Sequence, residues 1–143
     1  MRILRKVEPY ELPELVDLWL TTSLIAHPFI PGAYWRDNKA AMLQEYLPAS
    51  EVYVIDCGGR LCGFLALVDD HVAALFISPF EQGKGYGTQL LNYAKTIRSE
   101  LTLNVYQKNQ QSVQYYQKNG FEIHSETVDT ASGEKEYSMR WRC

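Results

Sequence analysis

The order of hydrophobic patterns along the chain is the feature that most restricts its fold. Between Glu51 and Ser78, three runs rich in β-branched and aromatic residues follow one another with short turns between them. Such a series predicts an antiparallel meander, because strands joined by tight turns pair with each other. After Ser78 the pattern changes to alternating helical and strand segments, which places parallel strands beside the meander. The sequence therefore predicts an α/β (mixed α+β) fold with one mixed sheet and helices on its faces.

The individual elements follow from hydrophobic spacing and from turn residues. We predict strands at 2–8, 51–57, 61–68, 71–78, 101–106, 121–128 and 135–141, and helices at 9–26, 37–47, 85–99 and 110–119. The first helix is expected to end before His27, because the residue preceding Pro28 is pushed out of the helical region. In the second helix, Ala40, Leu43 and Leu47 form the predicted buried stripe.

The length and composition fit one compact domain over residues 1–143. Of these 143 residues, 46% are hydrophobic and 13% aromatic, which is too apolar for a disordered tail. The net charge of -3 gives nucleic acid no overall attraction. No apolar run approaches the roughly 20 residues that cross a bilayer, and the start of the chain is charged, unlike a signal peptide. We therefore expect a cytoplasmic protein whose partners include neither nucleic acid nor a membrane.

The cysteines and histidines favour neither a disulfide nor a metal site. Gly58-Gly59 predicts a two-residue hairpin turn that pairs Cys57 with Arg60. Cys62 then lies only diagonally across from Cys57, which is too far for a relaxed disulfide. The three histidines are scattered along the sequence, so the spacing of a zinc site is missing. Reduced thiols and no metal are the expectation.

A glycine-rich turn between a predicted strand and a predicted helix is the strongest functional signal. It reads Ile77-Ser78-Pro79-Phe80-Glu81-Gln82-Gly83-Lys84-Gly85-Tyr86-Gly87-Thr88. Free N–H groups at a helix start favour an anion, and glycines let a phosphate approach the main chain closely. The spacing fits neither the dinucleotide fingerprint nor the nucleotide-triphosphate loop. The turn therefore predicts a pyrophosphate site of another kind, with a ligand-free glycine-rich connection as the alternative.

A second candidate site lies in the short helix that follows Asn109. Asn109 is expected to cap this helix, and Gly120 to end it. Tyr116 is three residues after Val113 and points with it towards the sheet, whereas Tyr115 lies nearer the rim. On helix position alone, Tyr116 is either a core tyrosine or a catalytic phenol.

Together these residues resemble the GCN5-related N-acetyltransferase (GNAT) family. Gln82-Gly83-Lys84-Gly85-Tyr86-Gly87 is similar to its Gln/Arg-x-x-Gly-x-Gly/Ala hallmark, and Asn109…Tyr116…Gly120-Phe121 to its second signature. The order of elements also matches over essentially the whole chain. Further stretches are similar to the small bacterial YiaC-type acetyltransferases: Leu18-Trp19-Leu20, His27-Pro28-Phe29-Ile30, Tyr34-Trp35-Arg36-Asp37 and Val105-Tyr106-Gln107-Lys108-Asn109-Gln110.

The resemblance implies a mostly antiparallel sheet that is splayed between the fourth strand and the 101–106 strand, and is flanked by about four helices. It also implies transfer of an acetyl group from acetyl-CoA to a primary amine by direct attack, with both substrates bound together. The cofactor-binding residues implied are Phe76, Ile77, Gln82, Gly83, Lys84, Gly85, Tyr86, Gly87, Thr88 and Asn109. A backbone N–H of the fourth strand stabilises the oxyanion, and Tyr116 is the general acid for the departing thiolate.

The general base is not given by the resemblance. Family members often carry a glutamate on the fourth strand, but here that strand, from His71 to Phe76, contains no carboxylate. His71 is a candidate base or water relay, with an ordinary residue at the end of a turn as the alternative. Asp70 or His27 acting through water are further candidates.

The residues expected to bind the acceptor lie in the loop between the first two helices and near the terminal hairpin. His27, Phe29, Tyr34 and Trp35 are the candidate substrate-binding residues, with core packing as the alternative for Trp35. The acidic side chains of Asp69, Asp70 and Asp129 are expected to attract the ammonium group.

A protein lysine is the expected acceptor, and a small-molecule amine is the alternative. A non-catalytic acyl-CoA sensor and a nucleotide-binding protein are the other interpretations. The chain is expected to act as a monomer or a homodimer.

Overall fold

A seven-stranded sheet forms the centre of the computed structural model, which describes residues 2–143. The strands are β1 (Ile3–Lys6), β2 (Glu51–Asp56), β3 (Leu61–Val68), β4 (His71–Ile77), β5 (Glu100–Tyr106), β6 (Glu122–Val128) and β7 (Lys135–Arg142). The helices are α1 (Leu12–Ala26), α2 (Gly32–Asp37), α3 (Lys39–Ala41), α4 (Tyr86–Ile97) and α5 (Gln110–Lys118). The predicted mixed fold is confirmed, and most predicted boundaries lie within two residues of the observed ones.

The strands lie in the order β1-β2-β3-β4-β5-β7-β6, and all neighbours are antiparallel except β4 and β5. The parallel contact between β4 and β5 consists of only two register pairs, His71 with Thr102 and Val72 with Leu103. Beyond these two pairs, β4 and β5 are not paired with each other. The splay implied by the family resemblance is therefore present in the middle of the sheet.

The sheet separates two hydrophobic cores. On one face α4 and α5 pack against alternate residues of β5, and Leu101, Leu103 and Val105 are buried there. On the other face α1 and α2 pack against the sheet through Trp19 and Trp35. Because successive side chains of a strand point to opposite faces, Thr102, Asn104 and Tyr106 of β5 lie on the α1–α2 face.

The second predicted helix, over 37–47, begins too late, and its predicted buried stripe is correct only in part. Helical structure begins at Gly32, breaks at Asn38 and continues through α3 into a π-helical turn over Met42–Tyr46. The break and the wider π turn rotate the following side chains relative to a regular helix. Met42, which is outside the predicted stripe, is therefore buried and Ala40 is exposed, whereas Leu47 is buried as predicted and Leu43 is half-buried against the core.

The β2–β3 hairpin has the predicted turn. Gly58 and Gly59 both have positive φ, and the Cys57 N–H donates to the Arg60 carbonyl at 2.8 Å. Cys57, Cys62 and Cys143 are all free thiols. Within residues 2–143, no helix has the length and apolar character needed to cross a membrane.

Candidate active site

A cleft with a volume of about 1440 Å³ lies where β4 and β5 separate. Its walls include Trp19, His27 and Trp35 from one face of the sheet and Tyr115 and Tyr116 from the other. The missing strand contacts beyond Val72 and Leu103 explain how one cavity reaches both faces. Two molecules that approach from opposite faces can meet at this gap.

The edge of β4 that borders the gap is free to pair with an extended ligand. The register between β3 and β4 shifts between Ala66 and Leu67, so Ala73 has no Cα partner in β3. Ala73 also has no partner in β5 and is exposed to the cleft. Such a bulge redirects backbone groups out of the strand ladder.

The glycine-rich turn has the open geometry expected of an anion cradle. Gly83 and Gly85 have φ values of 83° and 85°, and a Cβ at either position would meet no atom within 4 Å. α4 begins after Gly85 with no side chain capping its first N–H groups. The Ser78 N–H donates to the Cys62 carbonyl at 2.8 Å, and this bond fixes the turn to β3. Free backbone donors therefore face open space at the positive end of the helix.

The lysine of the turn is already paired with an acid. Glu81 is 5% exposed, and its carboxylate accepts from Lys84 Nζ at 2.7 Å and from the Arg60 guanidinium. These two cations hold the pKa of Glu81 below its usual value, and Glu81 raises the pKa of Lys84. Lys84 does not line the cleft.

Two other predicted cofactor residues of the loop have internal contacts. The Gln82 side-chain amide donates to the Ile77 carbonyl at 3.1 Å, which joins the loop to the end of β4. The Tyr86 ring is buried in the core beneath α4, so only its main chain is available to a ligand.

α5 presents a cap and two phenols to the cleft. Asn109 caps the helix as predicted, since its Oδ1 accepts from the Ser112 N–H at 3.2 Å. The Tyr115 hydroxyl lies 3.0 Å from Thr88 Oγ1 in α4. The Tyr116 ring packs edge-on against Tyr115 and Phe121.

The Tyr116 phenol is protonated at neutral pH, and burial strengthens this state. Removal from water, reinforced by the nearby Tyr115, raises the pKa of Tyr116 well above the usual value for tyrosine. The phenol is therefore fully protonated at neutral pH and has a proton to donate.

The opposite side of the cleft has an aromatic wall. The His27 ring lies with its centroid 5.7 Å from Phe29, 5.3 Å from Trp35 and 5.1 Å from Tyr106. Burial lowers the pKa of His27, so the imidazole is neutral near pH 7. The structure thus brings together His27, Phe29 and Trp35, three of the four predicted substrate residues. Tyr34 packs against Trp35 and is not part of the cleft lining, but its phenol is close to the cleft carboxylates, because burial and the charges of Asp129 and Glu136 raise its pKa.

Of the candidate bases, His71 lies in the cleft and Asp70 does not. His71 Nδ1 is 2.8 Å from Thr102 Oγ1, and burial lowers the pKa of the imidazole. Asp70 is 3.5 Å from the Arg98 guanidinium at the β3–β4 turn, away from the cleft. Asp69 belongs to the same turn. Only Asp129 of the three expected acidic residues therefore lines the cavity.

The cleft lining also contains residues that the sequence analysis does not assign to the site, among them Tyr106, Tyr115 and Glu136. Helix spacing predicts Tyr115 nearer the rim, because spacing alone does not show the neighbouring α4. Tyr106 and Glu136 come from different strands, and their register pairing brings them together. No local pattern in the sequence specifies that the last strand pairs with β5, so the sequence carries no signal for this proximity.

The glycine-rich turn and the α5 signature lie inside a match to a known domain. The model of the acetyltransferase (GNAT) domain matches residues 48–123. The chain belongs to the GNAT acetyltransferase family. It is 35% identical over 122 residues to the peptidyl-lysine N-acetyltransferase YiaC of Escherichia coli, covering 85% of this chain and 84% of the relative. The expected family and the similarity to YiaC-type enzymes are confirmed.

Solved GNAT structures show the same fold. The solution structure of apo YjaB from Escherichia coli superposes with a TM-score of 0.87 at 28% identity, covering 99% of this chain and 97% of YjaB. The PaiA N-acetyltransferase of Thermoplasma acidophilum, solved in complex with coenzyme A, gives a TM-score of 0.81 at 20% identity, covering 100% of this chain and 99% of that one. This GNAT chain is therefore an N-acetyltransferase by family.

Proposed function

We propose that the protein transfers the acetyl group of acetyl-CoA to the side-chain amine of a lysine in a protein or peptide. The observation that carries the proposal is the gap between β4 and β5, which opens one cleft to both faces of the sheet. An acyl donor on the α4–α5 face and an amine on the α1–α2 face can then react directly. Relatives named peptidyl-lysine N-acetyltransferases support lysine as the acceptor.

The donor side fits the diphosphate and the extended arm of coenzyme A. The uncapped amides from Gly83 to Thr88 would hold the pyrophosphate without charge from a metal. The free edge of β4 near Phe76 and Ile77 would pair with the amide groups of the pantetheine arm, as an added strand does. Asn109 lies at the other wall of the same groove. Gln82 acts on the cofactor indirectly, by fixing the loop to Ile77.

The reacting groups lie around the gap. The main chain of β4 at Ala73, which has no strand partner on either side, is the proposed donor to the oxyanion. Tyr116 is the proposed general acid, because a thiolate leaves more readily when a phenol protonates it. The attacking amine must be neutral, and a lysine amine with a pKa of about 10.4 is mostly protonated at pH 7.

The whole chain is proposed to act as one cytoplasmic domain. The sheet runs from Ile3 in β1 to Arg142 in β7 without division into separate sheets, which supports a single domain. The three free cysteines support a reducing compartment.

An acceptor panel with acetyl-CoA tests the proposed function. Lysine peptides, peptides with only a free N-terminus, and small polyamines or amino sugars are incubated with the enzyme, and the products are identified by mass spectrometry. We expect acetylation of the lysine side chain. Transfer only to small amines would contradict the lysine acceptor, and acetyl-CoA binding without any transfer would support an acyl-CoA sensor.

A further inference from the structure

Two carboxylates lie on the acceptor side of the cleft, beyond the residues that match the family model. Asp129 follows β6, and Glu136 is in β7; both line the cavity. Glu136 is the register partner of Tyr106 in β5. Because directly opposed residues of antiparallel strands share a face, Glu136 lies on the face of the aromatic wall.

The negative charge of this pair is not balanced by a neighbouring cation. Asp129 Oδ2 accepts from the Tyr106 hydroxyl at 3.1 Å and from Ser132 Oγ at 2.7 Å, both neutral donors. Among residues 2–143, no Lys, Arg or His is within ion-pair distance of Asp129 or Glu136. Lys108, the cation in the cleft wall, pairs instead with Glu134 at 3.1 Å. A protonated amine entering the cleft therefore meets two uncompensated carboxylates.

The surroundings make Glu136 a stronger proton acceptor than an ordinary glutamate. Burial raises the pKa of Glu136, and the charge of Asp129 raises it further, so its proton affinity is closer to that needed at neutral pH. The buried His27 has a lowered pKa and adds no positive charge at pH 7. The titratable and charged groups that share the cleft with Glu136 or act on it are Tyr34 of α2, His27 after α1, Tyr106 of β5, Asp129 after β6 and Lys108 after β5, which is paired with Glu134.

We propose that Glu136 accepts the proton of the incoming ammonium group and that Asp129 helps to bind this ammonium before transfer. The proposal rests on the proposed function, because it assigns roles in amine acetylation. It also supplies a base that the β4 sequence lacks. The Phe29 and Tyr106 rings, with centroids 5.6 Å apart, border the path for the aliphatic part of a lysine side chain.

The acetyl transfer moves three protons, one to Glu136, one to the thiolate and one back to Tyr116. The ammonium gives one proton to the Glu136 carboxylate, directly or through one water, and becomes a neutral amine. The amine lone pair forms the C–N bond, the C–S bond breaks, and the thiolate takes the proton of Tyr116. The second proton of the nitrogen restores the phenol, and Glu136 releases its proton to solvent.

The pH dependence of Glu136→Gln tests the proposal. We expect kcat on a lysine peptide to fall about 100-fold at pH 7. The kcat/KM of the variant should then rise about tenfold per pH unit up to pH 9, because only amine deprotonated in solution reacts. The wild type should instead level off above the pKa of Glu136. A thialysine peptide, whose amine is less basic, should recover much of the lost rate.

Two further variants separate proton transfer from binding and from folding. Glu136→Asp keeps a carboxylate and should retain the level wild-type profile with a lower kcat. Asp129→Asn should raise KM for the peptide about tenfold and move the acidic limb of the profile to lower pH, because the like charge beside Glu136 is gone. Glu122→Gln is the control, since Glu122 is exposed in β6 and lies outside the cleft.

If Glu136→Gln keeps the wild-type kcat and pH profile, Glu136 is not the proton acceptor, although the proposed function stands. A wild-type enzyme that acetylates no lysine peptide would overturn the proposed function as well. The two failures are therefore distinguishable in one set of assays.

Discussion

The two sides of the cleft are built in different ways. The donor side uses main-chain groups, presented by left-handed glycines, an uncapped helix start and a free strand edge. The acceptor side uses side chains from separate segments, which meet only in the folded sheet: the α1–α2 loop, β5 and the β6–β7 hairpin. A backbone cradle leaves a contiguous motif in the sequence, whereas a wall of side chains does not. Recognition of a donor site is therefore much easier than recognition of an acceptor site.

Tyr116→Phe should produce the largest effect, because it removes the acid at the point where the two sides meet. We expect kcat to fall by about 100-fold or more, with nearly unchanged affinity for acetyl-CoA, since the ring still fills its place against Phe121. Steady-state kinetics and a binding titration measure both quantities. Tyr115→Phe is the matched control: it loses the contact with Thr88 and should lower kcat far less. Equal losses in the two variants would remove Tyr116 from its proposed role.

Gly85→Val should damage only the donor side. At a φ of 85° a β-branched residue is strained, and the loop must change shape. We expect KM for acetyl-CoA to rise about tenfold, or about 1.4 kcal/mol, with little change in KM for the peptide.

Gly58→Val provides the control for strain, because Gly58 has a φ of 80° and lies in the β2–β3 turn outside the cleft. It should lower the melting temperature without changing KM for acetyl-CoA. If both variants weakened acetyl-CoA binding equally, the pyrophosphate assignment would be wrong.

Phe29→Ala should damage only the acceptor side, and by less. The ring contacts His27 and Tyr106, and an aromatic pair contributes about 1 kcal/mol. We expect a rise of about fivefold in KM for the lysine peptide and an unchanged KM for acetyl-CoA. Phe80→Ala is the control, because Phe80 is 84% exposed and does not line the cleft. A change in the cofactor KM of Phe29→Ala would show that the two sides are not independent.

The smallest expected effect is a change in the pH dependence of folding stability, caused by the two buried histidines. Burial lowers the pKa values of His27 and His71 in the folded state, so the unfolded chain binds protons first as the pH falls. Stability is thus fully present above the unfolded value of 6.5 and decreases as the pH falls towards the folded values. Thermal unfolding between pH 7.5 and 5 should show a shallower decrease for His71→Gln than for the wild type. His124→Gln is the control, because His124 is exposed. If the melting temperature decreased with pH equally in the wild type, His71→Gln and His124→Gln, this expectation would be contradicted.

The sequence predicts local features of the structure well and contacts between distant segments poorly, as in the comparison of the donor and acceptor sides. The meander, the α4 and α5 boundaries and the Asn109 cap are local features, so periodicity and capping residues were enough to place them. The start of α2 after Pro31 was missed, although a proline before the first turn is a known signal. The π turn at Met42–Tyr46 has no comparable local signal. The proximity of Glu136 to Tyr106 depends on β7 inserting between β5 and β6, which no local pattern specifies.

Hydrogen exchange measured with each ligand separately tests the two-sided cleft most directly. The enzyme is incubated with coenzyme A alone, with a lysine peptide alone, and with both, and amide protection is mapped along the chain by mass spectrometry. We expect coenzyme A to protect 73–77 and 83–88, and the peptide to protect 27–35 and 129–136. Protection of the same segments by both ligands, or no protection of 73–77 by coenzyme A, would contradict a donor and an acceptor that meet across the gap between β4 and β5.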